Sequence, residues 1–91
     1  NKKGNDTSYN TTESAINSFG YELMNARKLT EALEIFSLNT MLYPTGFNTF
    51  DSLGECLLLM GRKAEGINAY KRSLELNPGN ENAKKILDAN N

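Results

Sequence analysis

Two carboxylates four residues apart, Asp51 and Glu55, with the thiol of Cys56 beside them, are the side chains nearest to a chemical role. On a helix, residues four apart share a face, so the two acids would point together. A carboxylate pair does acid–base work when a nucleophile, a histidine or a metal accompanies it. The 91-residue chain has no histidine, so the commonest general base, nucleophile activator and metal ligand are missing. Cys56 is the only cysteine, which excludes an intramolecular disulfide and a zinc cluster. Within Leu53 to Met60 it reads as a small buried hydrophobe. The acid pair therefore reads as a solvated or partner-contacting face. No catalytic residue, cofactor or metal site is expected.

Composition excludes other classes. The formal net charge is -1, with no general attraction for nucleic acid or anionic lipid. Arg62-Lys63, Lys71-Arg72 and Lys84-Lys85 are interleaved with Glu65, Glu75, Glu81 and Asp88, and no row of aromatics accompanies them. A solvated outer face is expected from that pattern, not a nucleic-acid site. The apolar run Leu57 to Met60 is too short to cross a bilayer. No charged start leads into an apolar stretch and cleavage site, so no signal peptide is read. The opening Asn1-Lys2-Lys3-Gly4, without an initiator Met, reads as a processed protein or excised domain, which leaves localisation open.

The elements that would position these residues follow from periodicity. Residues 1–12 are polar and turn-prone apart from Tyr9 and are expected to be a flexible extension or linker. Ile16, Phe19, Gly20 and Leu23 then fall at helical spacing, as do Leu29, Ala32, Leu33 and Phe36. Tyr43-Pro44-Thr45-Gly46 ends that second stripe. Phe50, Leu53, Gly54 and Leu57 form a third stripe, closed by Gly61, and Ile67, Tyr70 and Leu74 a fourth, closed by Asn77-Pro78-Gly79. Asn80 is the expected N-cap of a short last helix with Ala83, Ile86 and Leu87 on its apolar face. Five helices are predicted, at about 13–26, 28–42, 47–60, 63–76 and 80–89, with no strand.

The pattern repeats at an offset of 34 residues, which pairs Gly20 with Gly54, Pro44 with Pro78, Ser18 with Ser52, Leu23 with Leu57, Glu31 with Glu65 and Leu42 with Leu76. Similar residues fill more of the frame: Ile16 with Phe50, Phe19 with Leu53, Leu33 with Ile67 and Phe36 with Tyr70. The chain resembles the tetratricopeptide repeat family, whose 34-residue unit is a pair of antiparallel helices. Ile16, Phe19-Gly20, Leu23 and Ala32, Phe36, Asn39, Pro44 carry the resemblance in the first unit. Phe50, Leu53-Gly54, Leu57 and Gly66, Tyr70, Ser73, Pro78 carry it in the second. It implies an all-α, right-handed α–α superhelix over 13–91: unit one 13–46, unit two 47–80 and a capping helix 81–91. Departures are Arg27-Lys28 at the first interhelical turn, Lys63 opening the fourth helix, and Asn39-Thr40, expected to weaken the second. The stretches Tyr43-Pro44, Asp51 to Glu55 and Leu74 to Pro78 also resemble a repeat pair at the C-terminus of some bacterial serine hydrolases and esterases.

A superhelix of this kind has a concave side lined by the first helix of each unit. The expected partner-binding groove comprises Asn17, Tyr21, Met24, Asn48, Asp51, Glu55, Leu58, Leu59, Asn82 and Lys85. Exposed Tyr, Met and Leu among amides and carboxylates suit an extended peptide or a helix. Asp51 and Glu55 disfavour a grip on a partner's C-terminal carboxylate. Two functions are expected as alternatives: a module binding a protein or peptide in this groove, or a non-catalytic accessory domain of a larger enzyme such as a bacterial serine hydrolase. A weak homodimer, or docking onto its own parent protein, is the further partner expected.

Overall fold

The computed structural model describes residues 12–90. The expectation of a flexible extension therefore falls outside the described residues, except for Thr12. Five helices are present: α1 (Glu13–Asn25), α2 (Leu29–Leu42), α3 (Phe47–Leu59), α4 (Lys63–Leu76) and α5 (Glu81–Ala89). Each end lies within one residue of its predicted position, and no strand occurs among the described residues. Extents of 45 × 30 × 18 Å leave room for two layers of helices, each about 10 Å across.

The caps recur with the repeat. Thr12, Gly46 and Asn80 stand 34 residues apart as the N-caps of α1, α3 and α5. Thr12 Oγ1 accepts from Ala15 N at 3.3 Å and Asn80 Oδ1 from Ala83 N at 3.2 Å, each satisfying an orphan donor of its first turn. Gly46 has no side chain to offer. Between the helices of each hairpin the chain turns through the left-handed region, at Arg27 with φ 66° and at Gly61 with φ 81°. Glycine has no Cβ to clash there. An L-residue such as Arg27 carries a cost of about 1–2 kcal/mol.

Packing explains the residue pairs. A Cβ on Gly20 would run into the Phe36 ring, and one on Gly54 would lie 2.7 Å from the Tyr70 ring and 3.1 Å from the Gly66 carbonyl. The helices of each hairpin thus cross at closest approach on glycine, with the aromatic laid over it. Phe36 and Tyr70 are 0% and 2% exposed. Met24, Ala32, Phe36 and Cys56 form the core cluster, flanked by Tyr21, Leu23, Leu29, Leu33, Leu53 and Met60.

Two expectations need correcting. Asn39 does not weaken α2, which runs unbroken to Leu42. It is fully buried, and its Nδ2 donates to the Glu13 carbonyl at 3.1 Å. Ser73, one repeat later, donates to the Phe47 carbonyl at 2.7 Å, so the same position locks both hairpins. Phe19, placed in the core stripe, is 49% exposed. Its counterpart Leu53 packs against the core cluster that the first hairpin contributes to. Phe19 belongs to the first hairpin, and among the described residues no hairpin precedes it.

Candidate partner-binding face

The helices α1, α3 and α5 occupy equivalent places in successive rungs, and side chains on one face of them interlock. Tyr21 of α1 donates its hydroxyl to Glu55 Oε1 of α3 at 2.7 Å, across one repeat. Its ring meets the edge of Phe36 with centroids 5.3 Å apart and planes at 72°. Burial pushes the Tyr21 phenol up to about 12; the bond from Ser52 lowers it and Glu55 raises it further. Asp51 reaches the other way. Its Oδ2 accepts from Asn80 Nδ2 at 3.0 Å and its Oδ1 from Asn82 Nδ2 at 2.9 Å, tying α3 to α5. Asn80 Nδ2 also donates to Ser73 Oγ at 2.9 Å, so one amide bridges three helices.

The acid pair is thus divided between two junctions, Glu55 serving α1 and Asp51 serving α5. Both acids are half-buried. The expected solvated or partner-contacting acid pair is thus, in the structure, also a pair of ties between helices. Met24 also differs from its groove placement: it is 6% exposed and packs in the core. Its counterpart Leu58 is half-buried, its side chain laid over Gly66. Asn17 and Tyr21 are half-buried, while Asn48, Leu59, Asn82 and Lys85 are exposed.

A concavity of about 370 Å³ is walled by Glu55, Leu58 and Leu59 of α3, Tyr70 of α4, and Asn82 and Ile86 of α5. It brings four of the expected groove residues together and adds Tyr70 and Ile86, which periodicity had assigned to helix packing. A second, of about 360 Å³, lies between α1 and α3 and is lined by Met24, Asn25, Arg27, Leu29, Glu55 and Leu59. Leu59, 59% exposed, and Glu55 border both.

The outer charges pair along their own helices: Arg62 with Glu65 at 2.7 Å, Arg72 with Glu75 at 3.1 Å and Lys84 with Glu81 at 3.5 Å. No group of three or more His, Cys, Asp or Glu positioned for a metal occurs among the described residues. No described helix is long and apolar enough to cross a membrane. Burial pushes the Cys56 thiol up.

Helical hairpins stacked at a fixed period, with first-helix side chains along one face, define a helical-repeat interaction protein. Residues 48–80 match the family model of the tetratricopeptide repeat, covering α3 and α4. That segment is a tetratricopeptide repeat, a unit of protein-interaction modules. No curated protein matches the chain. The resemblance to a hydrolase tail gains no support from these comparisons.

Proposed function

We propose that the chain binds a peptide or protein segment along the face formed by α1, α3 and α5, centred on the concavity between α3 and α5. The observation that carries this reading is the mixed lining of that concavity. Leu58, Leu59, Tyr70 and Ile86 offer apolar surface, and Glu55 and Asn82 border it with a carboxylate and an amide. Such a lining suits an apolar side chain anchored in the cleft, with neutral or basic neighbours facing Glu55. Asn17, Asn48 and Lys85 extend the proposed face along the first helices.

The test uses binders selected from a peptide library against the whole chain, with Leu59→Asp as the discriminating variant. Leu59 is exposed, so its replacement should leave helicity and melting unchanged while weakening the selected peptides at least about tenfold, a loss of roughly 1.4 kcal/mol. Full-strength binding by that variant would move the site elsewhere. Attraction by Glu55 also predicts that binding of basic peptides weakens as salt rises.

A further inference from the structure

The two inter-hairpin junctions are built from equivalent positions but finished differently. At the second, Asn80 Nδ2 lies 3.0 Å from Asp51 Oδ2 and 2.9 Å from Ser73 Oγ. The equivalent positions at the first are Gly46, Asn17 and Asn39, each 34 residues earlier. Glycine brings no amide there. Asn17 Oδ1 and Asn39 Oδ1 are buried without a donor, and so is Glu13 Oε2. Asn39 is 0% exposed, and its amide is oriented by the Nδ2 bond to the Glu13 carbonyl, which leaves Oδ1 as the unmatched atom. The Glu13 carboxylate lies where a Cβ on Gly46 would be, the place from which Asn80 reaches its two acceptors. By repeat equivalence, the oxygens of Asn17 and Asn39 flank the place that a nitrogen donor takes in the neighbouring junction, and the Glu13 carboxylate comes to Gly46 beside it.

Buried acceptors without donors are costly, and a native fold supplies them with a partner. Amide and carboxylate oxygens accept only. We propose that the first junction is a binding site for a small monovalent cation, potassium or ammonium, held by Glu13 Oε2, Asn17 Oδ1 and Asn39 Oδ1. A single carboxylate matches a single charge. Calcium sites usually gather several carboxylates, and here there is one. The site lies between the N-terminus of α1 and the last turn of α2, whose opposite dipole ends offset one another. The inference does not depend on the groove reading.

Thermal unfolding in potassium, ammonium or tetramethylammonium chloride at equal ionic strength tests it. A ligand bound only by the native state raises Tm with the logarithm of its concentration. Potassium or ammonium should therefore raise Tm by a few degrees per tenfold increase, while tetramethylammonium, too large for the site, should not. Glu13→Gln removes the charge with little change of shape and should abolish the difference. Gly46→Asn should abolish it too, because the new amide supplies the nitrogen and turns Glu13 outward; that variant should melt higher than the parent in every salt. Should Gly46→Asn fail to fold, Glu13→Gln decides alone. Equal Tm in all three salts would overturn the proposal, as would a potassium effect that survives in Glu13→Gln. Equal Tm would leave the donor as a water or a turned Asn17 amide.

Discussion

At the scale of single residues, Phe36 and Arg27 mark the extremes of fit. Phe36 is fully buried, touches Tyr21 edge-on and closes over Gly20. Phe36→Ala should cost about 3–5 kcal/mol in urea or thermal unfolding, and a loss under about 1 kcal/mol would contradict its place in the core. Arg27 holds the left-handed turn that Gly61 takes in the second hairpin, and its side chain is exposed. Arg27→Gly relieves the Cβ clash and should stabilise by about 1 kcal/mol, read as a higher denaturation midpoint. Tyr21 predicts an alkaline limit. Its phenol is raised from 10.0 to about 12, so the native state holds the proton that the unfolded chain gives up first. Its contribution is fully present below pH 10 and is lost as pH rises through about 12. Tyr70 shifts in the same direction by burial. Melting curves should fall over that range, less steeply in Tyr21→Phe.

At the scale of elements, the amide of Asn80 joins α3, α4 and α5 while its Oδ1 caps α5. Asn80→Ala loses a cap and two hydrogen bonds and should cost about 2 kcal/mol. Amide exchange should then rise first in α5, and uniform loss of protection would contradict this account. The helices themselves were legible in the sequence. Apolar spacing, Pro44, Pro78 and the 34-residue offset placed every helix end to within one residue. Gly20 and Gly54 were legible as points of close approach for the same reason. What could not be read were contacts made between helices. Asn39 looked like a poor helix residue because its partner, the Glu13 carbonyl, lies 26 residues away. Asp51 and Glu55 looked like a matched pair because helical spacing reports a shared face, not the neighbours each acid turns toward. Met24 and Leu58 occupy the same repeat position, yet one is buried and the other borders the concavity. Phe19 and Leu53 differ because, among the described residues, only the latter has a hairpin before it.

At the scale of the whole molecule, two hairpins and a fifth helix make a short stack among the described residues. Repeat stability grows with the number of neighbour interfaces, and three or more units are the usual minimum. On α5, Lys84 and Asp88 are exposed at the positions equivalent to Phe50 and the buried Gly54. The same architecture gives the proposed binding face its rigidity, since Tyr21–Glu55 and Asp51–Asn82 hold α1, α3 and α5 in register.

The central claim, that a partner segment lies along those three helices, is tested most directly by mapping amide chemical shifts of the labelled chain as a selected peptide is titrated in. The account predicts saturable shifts at Glu55, Leu58, Leu59, Asn82 and Ile86, with little change at Glu34, Met41, Asn68 or Glu75 on α2 and α4. Shifts concentrated on α2 and α4, with the α3–α5 concavity unmoved, would contradict it.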